Sequence, residues 1–164
     1  SAAVLRHSDG ARGILSASLG ASGAQAGLLY MPGGGSQNPA SAKSVAQGLH
    51  FLKMNGREVY KHAVVNMARA SEEAIARAGL KPSDITWIVP HQANLRILQG
   101  LAERLGVGMD RCLVNLDRYG NISAASAGIA LHEGASEGRF KPGDHLLLVA
   151  FGAGLTWGAS VIRW

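Results

Sequence analysis

Three groups of residues in this 164-residue sequence could act on one oxygen atom, and each follows a segment with the pattern of a β-strand. They are His91, Asn121 and the bend Gly152-Ala153-Gly154. Imidazole and amide nitrogens donate hydrogen bonds, as do the N–H groups of a glycine-rich bend, and such donors stabilise an enolate or oxyanion as it forms. Because the carboxyl ends of parallel strands meet at one edge of a sheet, we expect the three groups to lie close together.

Each group also has a purely structural interpretation. His91 could be a loop histidine that hydrogen-bonds its own backbone. The pair Gly120-Asn121 is common in turns, since asparagine tolerates the left-handed conformation, and the bend at 152–154 could be a plain hairpin turn. Only the expected convergence of all three groups at one edge of a sheet favours a functional site.

The strand that precedes His91 is clearly marked in the sequence. Residues 85–89 form a short apolar run with β-branched and aromatic side chains, which is typical of a buried strand. Pro90 cannot donate a hydrogen bond to a neighbouring strand and therefore ends the run. His91 is thus predicted at the carboxyl end of a buried strand, the edge where open α/β sheets bind ligands.

The only cysteine, Cys112, lies in an apolar run and is predicted to be a buried hydrophobic side chain, not a nucleophile. A single cysteine excludes an intrachain disulfide and indicates a reducing compartment, so we expect the protein in the cytoplasm. No metal site is predicted, because thiolate zinc sites need more cysteines and the six histidines lack the spacing of metal ligands. No glycine-rich motif for a nicotinamide cofactor opens a predicted helix.

The charge of the chain points to the kind of partner it binds. A net charge of +5 and an isoelectric point near 9.8 favour an anionic partner. Because the basic residues are scattered and aromatic residues make up only 5% of the chain, a nucleic-acid surface is not predicted. No apolar run approaches the ~20 residues that a membrane-spanning helix needs. An acidic protein or a phosphorylated ligand is the expected partner.

The order of the elements indicates an α/β fold with a mixed, mostly parallel sheet and helices on its faces. Helices are predicted at residues 55–79, 94–105 and 123–137, and further strands at 111–116, 145–151 and 155–164. Residues 1–22 are predicted to form a hairpin that ends a preceding half of the protein, residues 23–48 a Gly/Ser/Pro-rich connection, and residues 49–164 a C-terminal domain.

Three segments resemble β-ketoacyl-[acyl-carrier-protein] synthase III, a family of condensing enzymes that start type II fatty acid synthesis. They are residues 89–97 (VPHQANLRI), 116–126 (LDRYGNISAAS) and 151–158 (FGAGLTWG). The resemblance is specific, because the segments are long and correctly ordered and spaced. It covers essentially the whole chain but only the C-terminal half of such an enzyme, and it implies a thiolase-like half-domain.

The resemblance implies a decarboxylative Claisen condensation of an acyl-CoA, expected to be acetyl-CoA, with malonyl-acyl carrier protein, without a cofactor. His91 and Asn121 match the catalytic histidine and asparagine of the family, and the backbone N–H of Ala153 matches part of its oxyanion hole. The nucleophilic cysteine of the family lies in the N-terminal half, and Cys112 does not match it. This chain alone is therefore expected to be inactive.

Binding residues are implied in the same way. Those expected to line the tunnel for CoA or phosphopantetheine are Gly56, Ala93, Asn94 and Ile97. Those expected to dock the acidic acyl carrier protein are Arg96, Lys61 and Arg104. The complete enzyme is expected to be a homodimer that binds neither nucleic acid nor membrane.

Two alternatives stay open. One is a related condensing enzyme of secondary metabolism, which would carry the same catalytic histidine and asparagine. The other is a non-catalytic thiolase-like module that binds carrier protein or CoA without a nucleophile. A half-domain that stands alone should expose the apolar face that packs on its twin, so we expect the isolated chain to self-associate.

Overall fold

The computed structural model of the chain describes residues 1–10 and 12–164. The strands are β1 (Gly13–Ala21), β2 (Leu29–Tyr30), β3 (Lys53–Met54), β4 (Trp87–Pro90), β5 (His145–Gly152) and β6 (Thr156–Arg163). The helices are α1 (Ala42–Ala46), α2 (Gly56–Arg77), α3 (Leu95–Leu105), α4 (Leu116–Tyr119) and α5 (Ala125–Ser136). Short 3₁₀-helices cover Gly23–Leu28, Pro82–Asp84 and Met109–Arg111.

Four of the strands form one mixed sheet in the order β1-β6-β5-β4. β4 runs parallel to β5, with Trp87 opposite Leu146 and Pro90 opposite Val149. β6 runs antiparallel to both of its neighbours, β5 and β1, while β2 and β3 pair in a separate two-stranded ladder. The predicted mixed α/β fold is confirmed, and so is the final strand that returns antiparallel to β5.

The start of the chain differs from the prediction. Residues 1–10 contain neither helix nor strand, and β1 pairs with β6, from Gly13 opposite Arg163 to Ala21 opposite Thr156. The predicted hairpin at residues 1–22 was therefore wrong, because alternating side chains identify a strand without identifying its partner. β1 is an edge strand of the same sheet that contains β4.

The strand predicted at residues 111–116 is reduced to a single parallel bridge between Cys112 and Ile88. One backbone hydrogen bond, from Leu113 N to Ile88 O (2.9 Å), ties this segment to β4. A 3₁₀ turn precedes Cys112, and the chain enters α4 at Leu116, so only residues 112–115 lie between the two helical segments. For this reason the sheet has fewer parallel pairs than the alternation of strands and helices predicts.

The helices largely begin and end where their terminal residues predict. Side-chain oxygens of Asn55 and Asn94 accept hydrogen bonds from first-turn N–H groups of α2 and α3. α3 ends at Gly106, whose φ of +64° is a left-handed conformation that glycine adopts without strain. α5 begins two residues later than predicted, because Ser123 lies outside the helix with a φ of +54°. In the described part of the chain, no helix combines the length and the apolarity needed to cross a membrane.

The sheet separates two apolar cores. α2 packs against β1, β5 and β6, and α3 packs beside α2. This side holds the larger core, whose fully buried members include Met67, Ile88, Leu98, Leu101, Leu147 and Val161. The smaller core lies under α5 and contains Val89, Leu113, Ala130, Phe140 and Leu146. Neighbouring residues of β4 enter different cores, because successive side chains of a strand point to opposite faces.

Candidate active site

The backbone holds His91 at the carboxyl end of β4. Pro90, the last residue of the strand, lies opposite Val149 of β5, and the N–H of His91 donates to the carbonyl oxygen of Val149 (2.8 Å). Asn94, three residues later, already caps α3. The predicted position of His91 between a buried strand and a helix is therefore confirmed.

The His91 side chain is hydrogen-bonded to Ser126, the second residue of α5. Nδ1 of His91 lies 2.6 Å from Oγ of Ser126. That hydroxyl donates to the carbonyl oxygen of Ser123 (2.8 Å) and accepts from the N–H of Gln92 (3.1 Å). The imidazole, which follows β4, is thus hydrogen-bonded to the N-terminal turn of α5.

Gln92 fixes the loop on which His91 sits. This side chain is completely buried, and its Nε2 donates to the carbonyl oxygens of Pro90 (3.0 Å) and Leu113 (2.9 Å). Its Oε1 accepts from the N–H of Asn115 (3.1 Å). A buried amide with partners at both ends holds its surroundings firmly, because breaking any of these bonds leaves a polar group unpaired. The end of β4 is thereby tied to the segment that leads towards Asn121.

Neither Ser126 nor Gln92 was predicted from the sequence to belong to the site. A signal existed for Ser126, since a serine within an Ala/Gly-rich helix that packs closely must find a hydrogen-bond partner once it is buried. Ser126 is 1% exposed. Gln92 gave no comparable signal, because its burial depends on Leu113 and Asn115, more than twenty residues away in the sequence.

A cleft of about 520 Å³ lies beside His91. Among the residues that line it are Ser123 and Ser126, Phe151 and Gly152 at the end of β5, and Trp157 of β6. Apart from His91, every lining residue is uncharged. The volume falls within the range of pockets that hold small organic ligands, and a few polar groups set in apolar walls are typical of such pockets.

The environment of His91 favours its neutral form. Burial lowers the pKa of the imidazole below the ordinary value of histidine, and a hydrogen bond with the backbone of Ser123 opposes this by raising it. Burial has the larger effect on the pKa, because the free energy needed to remove a charged imidazolium from water exceeds the stabilisation that this hydrogen bond gives it. No charged side chain of the described residues contributes to the shift.

Asn121 is exposed and follows α4 after one glycine. Its Oδ1 accepts from the N–H of Ser123 (3.1 Å), a side-chain-to-backbone hydrogen bond of the kind that asparagine makes in turns. The turn role considered for Asn121 in the sequence is therefore present. The same bond leaves the amide NH₂ of Asn121 without a partner among the described residues, so it can donate to another molecule. Asn121 does not line the 520 Å³ cleft, whereas Ser123 does. Its convergence with His91 on one oxygen stays a prediction.

The bend between β5 and β6 is a hairpin turn, with Gly152 opposite Thr156, as its structural interpretation predicts. Gly152 lines the cleft beside His91. Ala153 is exposed, and its carbonyl oxygen accepts from Oγ1 of Thr156 (3.2 Å). The N–H of Ala153 donates to no described residue and is free for an oxyanion. A hairpin and a donor site are therefore compatible in the same three residues.

Cys112 has the properties of a buried hydrophobic residue. It is 6% exposed and packs in the larger core. Burial raises the pKa of its thiol to about 12, so the thiolate that a nucleophile requires is absent at neutral pH. The prediction that Cys112 is a buried hydrophobic side chain is confirmed.

The residues expected to line a CoA or phosphopantetheine tunnel lie near the N-terminal ends of α2 and α3. Gly56 opens α2, and Asn94 caps α3; both are exposed. Ala93 is half-buried, while Ile97 belongs to the larger core with 7% exposure. None of the four lines the cleft beside His91. The contact of these four residues with a ligand stays a prediction. Ile97 has little exposed surface with which to contact one.

The basic residues expected to dock a carrier protein are all exposed. Arg96 and Arg104 lie on α3, and neither forms an ion pair with a described residue. Lys61, on the neighbouring α2, pairs with Glu58 (2.8 Å). Two exposed guanidinium groups on one helix suit the docking of an anionic partner.

Comparisons with known proteins agree with this description. Residues 75–164 match the family model described as 3-oxoacyl-[acyl-carrier-protein (ACP)] synthase III C terminal. The chain is 53% identical over 163 residues to a beta-ketoacyl-[acyl-carrier-protein] synthase III from Roseiflexus sp. (strain RS-1), an alignment covering 99% of this chain and 50% of that protein. It is 52% identical to the enzyme of the same name from Symbiobacterium thermophilum, with coverages of 99% and 49%.

The fold also matches solved structures. The crystal structure of a beta-ketoacyl-[acyl carrier protein] synthase III from Thermus thermophilus superposes with a TM-score of 0.84 at 47% identity. The match covers 97% of this chain and 48% of that one. The chain thus spans about half the length of the curated relatives and the solved structure that it matches.

Proposed function

Because this chain belongs to the 3-oxoacyl-[acyl-carrier-protein] synthase III family, we propose that it is the C-terminal part of a condensing enzyme that initiates fatty acid synthesis. The proposed reaction joins an acyl-CoA, with acetyl-CoA as the first candidate, to malonyl-acyl carrier protein, and it uses no cofactor. The observation that carries the proposal is the placement of His91, which lies at the end of β4 beside an uncharged cleft of about 520 Å³. The single buried cysteine suits a reducing compartment such as the cytoplasm.

The first step needs a nucleophile, which we assign to the part of the protein outside this chain. There a cysteine sulfur attacks the acyl carbonyl, and CoA leaves as its thiol. Cys112 does not serve, because burial raises its pKa to about 12. The isolated chain is accordingly inactive in acyl transfer.

The second step is the one in which this chain acts. The malonyl thioester loses CO₂, and the electron pair of the broken C–C bond forms a thioester enolate. His91 and the free NH₂ group of Asn121 stabilise the enolate oxygen. The enolate carbon then attacks the acyl-enzyme carbonyl, and the N–H of Ala153 stabilises the oxyanion until the cysteine sulfur leaves. Loss of one such donor lowers a rate by about a hundredfold or more.

The carrier protein is proposed to dock beside α3. Arg96 and Arg104 are exposed there without an ion pair to a described residue, and Lys61 lies on the adjacent α2. The net charge of +5 favours an acidic partner in general. We propose that the complete enzyme forms a homodimer.

The test uses the complete protein with His91→Ala. Decarboxylation of malonyl-acyl carrier protein should fall by about a hundredfold or more, while acylation of the nucleophilic cysteine by acetyl-CoA stays detectable by intact mass. His132→Ala removes an exposed histidine of α5 outside the cleft and serves as the control. Loss of acylation with decarboxylation preserved would contradict the role given to His91.

A second candidate is a non-catalytic module that binds carrier protein or CoA, favoured by the burial of Cys112, which raises the pKa of its thiol to about 12. Such a half-domain keeps its apolar side uncovered, and Val4, Leu5 and Leu19 are each at least 80% exposed. We expect the purified chain to self-associate. Light scattering that shows a monomer at micromolar concentration would contradict this expectation.

A further inference from the structure

Ser126 Oγ is the meeting point of three hydrogen bonds, and its chemistry limits how they are arranged. A hydroxyl has one hydrogen to donate and two lone pairs to accept with. The N–H of Gln92 occupies one lone pair (3.1 Å). The carbonyl oxygen of Ser123 can only accept, so its contact with Oγ (2.8 Å) takes the hydroxyl hydrogen.

What remains for His91 is the second lone pair of Ser126. Nδ1 lies 2.6 Å from Oγ, so this nitrogen must carry the hydrogen of that bond. In the opposite arrangement Ser126 would donate to Nδ1, and two oxygen atoms would face each other at 2.8 Å with no hydrogen between them. Only the first arrangement satisfies all three contacts of a group that is 1% exposed.

We propose that Ser126 is a positioning residue that holds the proton of neutral His91 on Nδ1 and so leaves Nε2 as a proton acceptor. The His91 ring is hydrogen-bonded to Ser126 through Nδ1, and His91 lines the cleft. The hydrogen bond made by one imidazole nitrogen decides the state of the other. The cleft residues around His91 from β1, α5, β5 and β6 are uncharged, so none of them competes for its proton.

The arrangement extends to the other proposed catalytic residue. Oδ1 of Asn121 accepts from the N–H of Ser123 and thereby holds Ser123 in its turn (3.1 Å). The carbonyl oxygen of Ser123 receives the hydroxyl hydrogen of Ser126, which in turn accepts from His91. A chain of hydrogen bonds therefore connects Asn121 to His91 through Ser123 and Ser126. The position of the His91 proton depends on these two serines.

This arrangement has a consequence for catalysis that rests on the proposed function. Neutral His91 can remove a proton through Nε2, for example from a thiol, but it cannot donate from Nε2. Donation to the enolate oxygen requires the imidazolium, which carries a proton on both nitrogens. Decarboxylation should therefore depend on protonated His91 and decline as the pH rises through the pKa of this residue.

The first experiment determines the tautomer directly in the full chain. With ¹⁵N-labelled histidine, long-range ¹H–¹⁵N spectra recorded well above the pKa of His91 distinguish the nitrogen that bears hydrogen from the one that bears a lone pair. We expect the Nδ1–H form to dominate in the wild type. Ser126→Ala should move the ratio towards Nε2–H by about tenfold, the ratio that one ordinary hydrogen bond sustains.

Ser71→Ala is the matched control. Ser71 is also fully buried and its hydroxyl donates to a carbonyl oxygen one turn earlier, that of Met67 (2.8 Å), but it has no histidine partner. The control should leave the His91 tautomer unchanged. A wild type dominated by Nε2–H overturns the proposal even if Ser126→Ala fails to fold, and so does an equal response of the two serine variants.

The second experiment separates this inference from the proposed function. In the complete protein, the rate of malonyl-acyl carrier protein decarboxylation is measured against pH and compared with the His91 titration from the same spectra. A rate that falls through that pKa supports the inference, and a flat profile overturns it. Absence of decarboxylation at every pH, with the Nδ1–H form still dominant, contradicts the proposed function and leaves the positioning role of Ser126 intact.

Discussion

The two faces of the sheet are built from different residues. The face covered by α2 and α3 is closed by large aliphatic side chains, and Leu98 and Leu101 of α3 are fully buried. The helix that covers the other face, α5, is built largely from alanine, glycine and serine, and its residues 127–129 are only partly buried. His91 contacts the second face through Ser126.

This contrast shows that stability and reactivity depend on different parts of the fold. Large side chains bury the most apolar surface, so the closed face supplies most of the hydrophobic stabilisation. Small side chains let backbones approach closely and leave hydroxyl and N–H groups accessible, as at Ser123 and Ala153. Residues 125–131 of α5 carry no charged side chain, whereas His132 is exposed and Glu133 is hydrogen-bonded to Asn115, Tyr119 and Arg118.

The largest effect is expected from truncation on the closed face. Leu101→Ala removes a side chain with 0% exposure and should lower the free energy of unfolding by about 3 kcal/mol, through lost burial and the cavity left behind. Leu95→Ala, on the same helix but 44% exposed, should cost less than about 1 kcal/mol. Denaturant unfolding measures both, and similar losses at the two positions would show that this face is not a closed core.

Smaller changes in stability, of opposite sign at two glycines of α5, test the face that this helix covers. A Cβ at Gly134 would overlap the ring of Phe140 and lie 3.0 Å from Leu113, so Gly134→Ala should destabilise the chain by about 2 kcal/mol. At Gly128 the only described residue that the added Cβ meets is Ser1, which is exposed and outside any helix or strand and so can move; Gly128→Ala should therefore stabilise by about 0.5 kcal/mol through helix propensity. Thermal unfolding of both variants gives the signs, and a loss at Gly128 would mean that residue 1 is firmly held.

A third effect concerns Glu133, which ties α5 to the segment before Asn121. Its carboxylate accepts from Asn115 Nδ2 (2.8 Å), Tyr119 OH (2.7 Å) and Arg118 (2.9 Å). The hydrogen bond from Asn115, followed by that from Tyr119, lowers the pKa of Glu133 below its ordinary value of 4.5. Glu133→Gln should cost about 1 kcal/mol of unfolding free energy at neutral pH.

The pH dependence of that loss follows from the direction of the shift. A carboxyl group with a lowered folded-state pKa stabilises the fold above its unfolded-state pKa, and this contribution disappears as the pH falls through the folded-state pKa. The difference between wild type and Glu133→Gln should therefore shrink below pH 4.5. Glu137→Gln, which removes an exposed carboxylate paired with Arg139, is the control and should change stability little at any pH. A difference that stays constant in acid would assign the loss to packing instead of charge.

Much of the fold was predictable because its signals are local. Asn55 and Asn94 accept hydrogen bonds from N–H groups two or three residues away, and Gly106 ends α3 through its own backbone conformation. The position of His91 after Pro90 was predictable for the same reason. The failures came where partners are distant: β1 joined β6 across the whole chain, and residues 111–116 formed one bridge in place of a strand.

The candidate site divides in the same way. By itself, the sequence determined that His91 ends a buried strand, that Asn121 lies in a turn and that Cys112 is a core residue. Only the tertiary structure decided that Ser126 holds the His91 imidazole, that Gln92 is buried behind it, and that Ser123 lines the cleft where Asn121 does not. Residue type and spacing fix which groups are available, because capping and alternation act over a few residues. Hydrogen-bond geometry between segments 30 or more residues apart depends on how the helices pack on the sheet, and that is set by the core as a whole.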